Sequence, residues 1–388
     1  MKREQDQDRD VEALAPGSAT AQGTDRFRGR FTRECAPDHF RKSRDLWFSS
    51  LGIGTYLGEP DRSDDERYRQ AIVTAVRSGC NVIDTAINYR FQRSERSVGA
   101  ALRDLFAEGF AREEIVVATK GGFIPFDGAY PEDPADWFRT ALLRPGLARP
   151  DDVVANCHIM TPRFLEAQIE WSRKNLGLEK LDIYFLHNPE TQLQALDRAE
   201  FLMRVRAAFE LFERKVEEGV LGLYGVTTWD GLRVPAGRPG HLSLEELLVA
   251  ARHAGGEGHH FRVIQAPLNL IMPEACLAPT QRVGGHPACL LTAASASEMI
   301  VMASASLLQG QVVLALEPDG GRFLPGALTN AQRGLQVVRS VPGLTTALVG
   351  MKSVEHVREN LGLARVSRLE EEKALALLRR VARPEESS

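Results

Sequence analysis

Short apolar runs alternate with longer amphipathic segments along the chain from about residue 50 onward. The apolar runs are rich in Val, Ile and Leu, which is typical of buried strands, and the segments between them have the apolar spacing of helices. The predicted strands cover residues 51–55, 81–84, 115–120, 181–187, 223–227, 261–265, 299–303 and 345–350. The predicted helices cover residues 64–78, with Ser63 or Asp64 as the cap, 95–108, 162–176, 198–218, 243–252, 287–296 and 329–340, and two more follow residue 350.

The order of these elements predicts the fold. Strict alternation of strands and helices predicts parallel strands joined by right-handed crossovers. Eight such units predict an α/β fold, a (β/α)8 TIM barrel with a C-terminal helical extension. A doubly wound sheet is the alternative. It is disfavoured because Gly52-x-Gly54 with Gly58 lacks the spacing of a dinucleotide-binding fingerprint and does not open directly into a helix.

The segments outside this alternation define the domain organisation. Long segments near residues 121–161, 230–241 and 271–286 each follow a predicted strand, so we expect them to form long loops on the C-terminal face of the barrel. Residues 1–40 are charged and show little apolar periodicity, which predicts a disordered N-terminal tail. Residues 41–388 are then expected to form a single barrel domain.

The composition narrows the class of protein. Of the 388 residues 26% are charged, and the net charge of -4 disfavours nucleic acid as a partner. The chain contains no apolar run near the roughly 18 residues that a membrane helix needs and no apolar segment typical of a signal peptide. The five cysteines are scattered and never form a C-x-x-C pair, which disfavours disulfides and a metal site. We therefore expect a cytoplasmic protein without membrane contact.

Polar side chains follow three consecutive predicted strands. Asp84 ends the second strand, with Tyr89 five positions further on, Lys120 ends the third and His187 ends the fourth. Adjacent strands of a barrel bring such groups into one region, where Asp84 can pair with Lys120 and orient its ammonium group. A cation at the hydroxyl of Tyr89 would make its proton easier to give or take. A phenol held at a carbonyl oxygen is a general acid for a carbonyl being reduced, and His187 can donate a hydrogen bond to the same oxygen.

Several dispersed motifs surround these residues and occur in a fixed order between about residues 50 and 363. They are Gly52-Ile53-Gly54-Thr55, Ile83-Asp84-Thr85-Ala86-Ile87-Asn88-Tyr89 with Ser94-Glu95 and Gly99, Ala118-Thr119-Lys120-Gly121, Leu186-His187-Asn188-Pro189, and Gly350-Met351-Lys352-Ser353 with Glu359-Asn360. On these motifs the chain resembles the aldo-keto reductase superfamily. The resemblance implies that Tyr89 is the proton donor, that Lys120 and Asp84 tune it, that His187 orients the carbonyl, and that a nicotinamide cofactor supplies hydride.

A candidate phosphate site follows the last predicted strand. The strand ends at Gly350, Lys352 adds positive charge, and Ser353 is the expected cap of a helix whose free N–H groups would face an anion. The resemblance implies that Lys352, Ser353, Glu359 and Asn360 hold the adenosine end and that Gln265 binds the nicotinamide amide. Lys352 favours NADP(H), with NAD(H) possible. The resemblance further implies that the cofactor is bound by Gly54, Thr55, Thr227, Thr228, Ser304, Gly350 and His356. Of these, Thr227-Thr228 stands where many relatives have Ser-Asn, and His356 stands where an Arg is frequent.

Aromatic residues in the predicted loops are candidates for the substrate pocket. Tyr56 and Trp229 follow the first and fifth predicted strands, and Trp137 lies with Tyr130 and Phe138 in the segment after Lys120. One hypothesis is that they line a pocket over the site. The alternative is that the aromatics of the long segment pack its own small core.

Three functions remain open at this stage. The favoured one is an NADP(H)-dependent oxidoreductase that reduces an aldehyde or ketone to an alcohol, or runs the reverse reaction. A second is a nucleotide-binding regulatory or interaction protein with little turnover. A third is a lyase or aldolase that uses Lys120 as a Schiff-base amine, which a neighbouring Asp84 disfavours by keeping the amine charged. The expected partner is a small carbonyl or alcohol, and the sequence predicts no oligomeric state.

Overall fold

The computed structural model describes residues 13–316, 324 and 326–382, and within them eight strands close into a parallel barrel. The strands in chain order are β1 (Phe40–Ser43), β2 (Leu46–Ser49), β3 (Leu51–Gly54), β4 (Val82–Asp84), β5 (Val116–Gly121), β6 (Leu181–His187), β7 (Leu221–Thr227), β8 (Phe261–Pro267), β9 (Gln281–Val283), β10 (His286–Ala288), β11 (Ile300–Ser304) and β12 (Thr346–Gly350). The barrel follows the order β3 to β8, then β11 and β12, and β12 closes it by pairing with β3. The predicted (β/α)8 fold is confirmed.

Helices alternate with the barrel strands and cover their outer face. In chain order they are α1 (Ala21–Arg30), α2 (Arg62–Arg77), α3 (Arg93–Ala107), α4 (Pro134–Phe138), α5 (Pro162–Leu176), α6 (Arg198–Glu217), α7 (Leu244–Gly255), α8 (Glu274–Leu277), α9 (Leu290–Ala296), α10 (Gln311–Ala315), α11 (Asn330–Ser340), α12 (Val354–Leu361) and α13 (Glu371–Ala382). Leu378 of α13 is fully buried in the outer core, so the C-terminal extension is packed against the barrel. Across the described part of the chain, none of these helices has the length and apolar content needed to cross a membrane.

A separate apolar cluster fills the inside of the barrel. It consists of Phe48, Val82, Val116, Ala118, Ile183, Phe185, Val263, Ile300, Met302 and Leu348. Phe48 comes from the antiparallel hairpin of β1 and β2 rather than from a barrel strand. The amide of Ser49 donates to Asn81 Oδ1 at 2.8 Å, just before β4, so the hairpin lies at the amino-terminal ends of the strands. It closes that end and leaves the opposite end for chemistry.

The prediction of a disordered tail over residues 1–40 is wrong for the part that the structure describes. Residues 21–30 form α1, whose Phe27 is fully buried and packs on Phe31, with ring centroids 5.0 Å apart. Arg26 and Arg30 each bind Glu114 at 3.0 Å. The helix buries only three of its residues, so it depends on contacts with distant parts of the chain that local periodicity does not reveal. Residues 1–12 lie outside the described residues.

The three long segments follow β5, β7 and β8, and they therefore lie on the C-terminal face as predicted. The segment after β5 holds α4 and forms a small apolar core in which its residues Leu142, Ala148 and Ile159 pack with Phe164 of α5. The segment after β8 carries the hairpin of β9 and β10. These segments supply most of the irregular structure around the mouth of the barrel.

Candidate active site

Three neighbouring strands bring the predicted chemical groups to one side of the barrel mouth. Asp84 is the last residue of β4, Lys120 lies near the end of β5, and His187 is the last residue of β6. The parallel registers place Asp84 beside Ala118 and Lys120 beside Phe185. Because parallel strands end at the same edge, the three side chains reach the same space.

Tyr89 reaches this space from a constrained turn between β4 and α3. The three residues that follow it, 90–92, all have left-handed backbone angles, with φ of 48°, 56° and 69°. Such conformations are costly for residues other than Gly and persist only where the surroundings hold them. Arg90 supplies part of that support through an ion pair with Asp65 at 2.7 Å.

Lys120 and Asp84 form the buried ion pair that the sequence predicts. The ammonium Nζ donates to Asp84 Oδ2 and to the backbone carbonyl of Thr85, each at 2.7 Å. Lys120 is fully buried and Asp84 is 5% exposed. Burial lowers the pKa of Lys120, and the nearby Asp84 carboxylate opposes that shift. The carboxylate thus favours the charged form of the amine next to Tyr89.

The phenol of Tyr89 lies between the amine, the imidazole and a second phenol. Lys120 Nζ is 4.7 Å from the centroid of the Tyr89 ring, and the ring of His187 is 5.8 Å from it in an edge-on arrangement. Tyr56 packs edge-on at 5.0 Å. The pKa of Tyr89 is raised well above 10, first by burial and then by the charge of Asp84. The sequence-based expectation that the cation eases loss of the proton is not met here, because burial outweighs it.

The surroundings of His187 favour the neutral form of its imidazole. Burial, followed by the positive charge of Lys120, lowers its pKa well below 6.5. Its Nδ1 atom is buried and has no hydrogen-bond partner among the described residues. The ring of Phe123 packs edge-on at 4.9 Å, and the Nε2 atom of His158 lies 2.7 Å from the carbonyl oxygen of His187, which can only accept. Sequence analysis missed Phe123 and His158, because each is a single residue in an irregular segment.

The predicted nicotinamide residues lie directly beside this cluster. Gln265 Nε2 donates to Asp84 Oδ1 at 2.8 Å, and Thr227 Oγ1 donates to Gln265 Oε1 at 3.0 Å. A carboxamide has two N–H donors and two acceptor sites, so Gln265 keeps capacity for a second partner at each end. Thr228 is nearly fully buried, and the Leu232 amide donates to its hydroxyl at 3.4 Å.

The ends of two further strands flank the same opening. Gly54 ends β3 and pairs with both Asp84 and Gly350. The amide and the hydroxyl of Thr55 both donate to the Asp84 carbonyl, at 3.1 and 3.2 Å. Ser304 ends β11, and its carbonyl accepts from the Leu268 amide at 3.2 Å.

The predicted phosphate site has the expected helix and an unexpected ion pair. Ser353 caps α12 by accepting from the His356 amide at 3.2 Å. Lys352, however, donates to Asp64 Oδ2 at 2.9 Å. Asp64 is therefore not the cap of α2, which is Asp61, but a carboxylate buried against the predicted phosphate-binding lysine.

Two polar residues of α12 complete this region. Glu359 accepts from the Thr329 hydroxyl at 2.6 Å. Asn360 is 4% exposed, and its Oδ1 is buried without a partner among the described residues. Asn360 lies near the C-terminal end of α12, and its unpartnered acceptor suits an N–H donor such as an adenine amine, whereas the free N–H groups after Ser353 suit a phosphate. The residues present therefore fit an adenosine phosphate.

The aromatic residues divide between the site and the loops. Tyr56 is 58% exposed and packs edge-on against Tyr89, so it stays a candidate for the substrate pocket. Trp229 is 45% exposed at the end of β7, where its amide donates to Glu190 at 2.7 Å. Trp137 packs on Phe126 at 4.8 Å and joins the small core of its own segment. These contacts favour the alternative that Trp137 packs the core of its own segment, and its place in a substrate pocket stays a prediction.

Two kinds of alternative site find no support in the geometry. Within the described residues, no group of three or more His, Cys, Asp or Glu side chains could hold a metal ion. All five cysteines are free thiols.

Comparisons with known proteins point to one family. A family model described as the Aldo/keto reductase family matches residues 50–234. The chain is 30% identical over 148 residues to an NADH-specific methylglyoxal reductase of Escherichia coli, covering 37% of this chain and 39% of that protein. It is 28% identical over 177 residues to a D-threo-aldose 1-dehydrogenase of a Pseudomonas species, covering 42% of this chain and 44% of that protein. The matched stretches thus span less than half the length of these curated relatives.

Similarity to solved structures extends over almost the whole chain. An aldo/keto reductase from Klebsiella pneumoniae, solved with NADP and acetate, has a TM-score of 0.60 at 20% identity and covers 91% of this chain and 98% of that one. A glycerol dehydrogenase from Gluconobacter oxydans has a TM-score of 0.60 at 18% identity and covers 91% and 99%. At such identities the likeness concerns the fold.

Proposed function

The chain is a relative of the aldo-keto reductases, and on this premise we propose that it is an NADP(H)-dependent oxidoreductase that reduces an aldehyde or ketone to an alcohol, or catalyses the reverse oxidation. The observation that carries the proposal is the convergence of four groups. Lys120 Nζ lies 2.7 Å from Asp84 and 4.7 Å from the Tyr89 ring, and His187 lies 5.8 Å from that ring. A phenol, a cation and a neutral imidazole around one opening suit the protonation of a reduced carbonyl.

Each of the four groups has a distinct task in this proposal. The raised pKa of Tyr89 keeps its phenol protonated at neutral pH, so it can give the proton to the carbonyl oxygen. Lys120 offsets the negative charge that this transfer leaves on the phenol, and Asp84 holds Lys120 charged and in place. His187, being neutral, can donate a hydrogen bond to the carbonyl oxygen without competing as an acid.

NADP(H), when bound, supplies the hydride. Gln265, with Thr227 and Thr228, is proposed to hold the nicotinamide end of the cofactor. The residues proposed to line the opening between its nicotinamide and adenosine ends are Gly54, Thr55 and Ser304. The residues proposed for the adenosine end are Gly350, Lys352, Ser353, His356, Glu359 and Asn360. The buried, unpartnered Oδ1 of Asn360 and the helix N-terminus at Ser353 support this end of the site. The methylglyoxal reductase that the chain resembles is NADH-specific, so NAD(H) stays a second candidate cofactor.

The proposed substrate is a small carbonyl or alcohol that enters beside Tyr56 and Trp229. Both side chains are exposed, Tyr56 packs on Tyr89, and Trp229 follows β7, whose last residue Thr227 pairs with His187. The free thiols of all five cysteines support action in a reducing cytoplasm. The Schiff-base hypothesis is disfavoured because the 2.7 Å contact with Asp84 keeps Lys120 charged.

The test combines cofactor binding with a substrate screen. Purified protein is titrated with NADPH and NADH by tryptophan fluorescence, and carbonyl compounds are then screened by cofactor absorbance. We expect saturable binding of NADPH and turnover of at least one aldehyde or ketone. Binding without turnover of any carbonyl or alcohol would favour the regulatory alternative, and failure to bind either cofactor would reject both functions.

A further inference from the structure

Strand β5 of the described barrel supplies no amide to the backbone carbonyl of His187. The ladder between β5 and β6 ends at Gly121 beside Leu186, one residue before His187. The next amide along β5, that of Gly122, donates instead to Gln168 Oε1 at 2.7 Å. A buried carbonyl without a donor is costly, and its position would be free to vary.

His158 occupies the place of the missing donor. It lies at the end of the long segment after β5 and is fully buried. Its Nε2 is 2.7 Å from the His187 carbonyl oxygen. An antiparallel bridge to Phe123 returns the segment to the barrel, and a Cβ added at Gly122 would meet His158 Nε2 at 2.8 Å. Only a glycine at this position, which has φ of +135°, lets the imidazole approach so closely.

Two polar side chains fix which nitrogen of His158 carries the proton. Gln192 Oε1 accepts from Arg204 Nη1 at 2.9 Å, so the other end of that carboxamide, Nε2, is a donor. Gln192 Nε2 is 2.9 Å from His158 Nδ1, which must therefore accept. The proton of the neutral ring then lies on Nε2 and is donated to the His187 carbonyl. Burial lowers the pKa of His158 from 6.5 to about 4, so the ring stays neutral at physiological pH.

The same segment also holds the side chain of His187. Phe123 packs edge-on against both imidazoles, with ring centroids 4.9 Å from His187 and 5.0 Å from His158. The imidazole of His187 is thus fixed through its backbone on one side and through Phe123 on the other.

We propose that His158 is a positioning residue for the active site, which holds the His187 carbonyl through a proton on Nε2 and thereby sets the direction of the His187 imidazole toward Tyr89. The inference rests on the proposed function for the role of His187, but its structural part can be tested without turnover. A displacement of about 1 Å at a positioned catalytic group can cost up to about 100-fold in rate.

The central experiment replaces His158 with Phe, whose ring cannot donate a hydrogen bond, and with Gln, whose side-chain amide can. In His158→Phe we expect kcat to fall about 10- to 100-fold while the dissociation constant for NADPH changes little. In His158→Gln, whose amide nitrogen can reach the same carbonyl, we expect most of the kcat to return. Equal kcat in wild type and His158→Phe would overturn the proposal, as would a loss of kcat in His158→Gln equal to that in His158→Phe.

A second buried histidine provides a matched control. His39 is also fully buried, and its Nε2 lies 3.0 Å from the Gly79 carbonyl, but it sits beside the hairpin at the opposite end of the barrel. We expect His39→Phe to lose stability in a way comparable to His158→Phe and to keep kcat. A similar loss of kcat in both variants at matched stability would assign His158 a structural role only and reject the proposal.

A measurement without substrate separates this proposal from the proposed function. The 15N signals of the His187 imidazole are recorded in wild type, His158→Phe and His39→Phe. We expect them to shift or broaden in His158→Phe alone. If they do so while no carbonyl is reduced by the wild type, the proposed function fails and the positioning role stands. Unchanged His187 signals in His158→Phe would reject the positioning role whether or not the wild type is active.

Discussion

Single charges at the barrel mouth bear on the proposed preference between NADP(H) and NAD(H). Lys352, the residue expected to favour NADP(H), is paired at 2.9 Å with Asp64, whose side chain is only 4% exposed. Burial alone would raise the pKa of Asp64, but its hydrogen bonds from Lys352 and from the Glu59 amide lower it. A 2′-phosphate would have to share Lys352 with this carboxylate, which offsets the charge that NADP(H) recognition uses.

The preference between cofactors should therefore respond to Asp64. In Asp64→Asn we expect NADPH to bind roughly threefold to tenfold more tightly relative to NADH, because Lys352 no longer neutralises a carboxylate. Fluorescence titration with both cofactors measures the ratio. Asp65→Asn is the matched control, since Asp65 pairs with Arg90 and Arg93 rather than with Lys352. An unchanged ratio in Asp64→Asn would show that Lys352 does not discriminate between the cofactors.

At the scale of single residues, the sequence predicts the catalytic side chains better than the residues that position them. Asp84, Lys120 and His187 are visible because each ends an apolar run, and strand ends meet in a barrel. The pairing of Lys352 with Asp64 joins residues 288 positions apart and leaves no local pattern. The roles of Phe123 and His158 likewise depend on how an irregular segment folds back, which neither periodicity nor spacing records.

Helices and strands with a regular apolar spacing of their own are predicted well from the sequence. Elements that are stabilised by contacts with distant residues are not. The predicted strand at 181–187 and the predicted helix at 162–176 coincide with β6 and α5. These segments combine regular apolar spacing with clear ends, such as Gly177 in a left-handed conformation after α5. The polar helix α1 and the β1–β2 hairpin lack such a pattern. Phe27 and Phe48 nevertheless bury completely, one outside and one inside the barrel.

The N-terminal helix should contribute directly to stability. We expect Phe27→Ala to lower the free energy of unfolding by about 3–5 kcal/mol, because the lost ring leaves a cavity among Phe31, Phe40 and Phe110. Urea unfolding measures this change. Met203→Ala serves as the control, since Met203 is 64% exposed and should alter stability little. A change in Phe27→Ala no larger than in Met203→Ala would mean that the segment before residue 40 is disordered after all.

At the scale of the whole molecule, the barrel is closed at its amino-terminal end and carries the candidate active site at its carboxy-terminal end. The count of eight strand–helix units was enough to predict the closed sheet, because alternation restricts the topology and eight units complete a barrel. What the count does not reveal is that a hairpin closes the amino-terminal end or that a segment after β5 packs around His187. Both come from contacts between residues far apart in sequence.

Two buried histidines at opposite ends make the stability of the whole molecule depend on pH. Burial lowers the pKa of His39 and of His158 from 6.5 to about 4, so between these values the unfolded chain binds more protons than the folded one. Stability from these groups is complete above about pH 6.5 and is lost as the pH falls toward 4. Each histidine contributes at most about 3 kcal/mol to the free energy of unfolding.

Removal of one of these histidines should flatten the pH dependence. Between pH 6.5 and 4.5 we expect wild type to lose about 2 kcal/mol more unfolding free energy than His39→Phe, since the variant has no group at that position to protonate. Urea unfolding at several pH values measures both slopes. Parallel slopes would mean that His39 has an ordinary pKa and is accessible to protons in the folded state.

The most direct test of the account is the effect of removing one oxygen atom from Tyr89. In Tyr89→Phe we expect turnover of the best carbonyl substrate to fall by at least about 100-fold, the scale of a lost general acid, because the proposal assigns the proton transfer to this phenol and gives His187 only a hydrogen bond to the same oxygen. The dissociation constant for NADPH should stay close to that of wild type, since the ring and its packing on Tyr56 remain. Turnover unchanged in Tyr89→Phe, with cofactor binding intact, would contradict the assignment of Tyr89 as the proton donor.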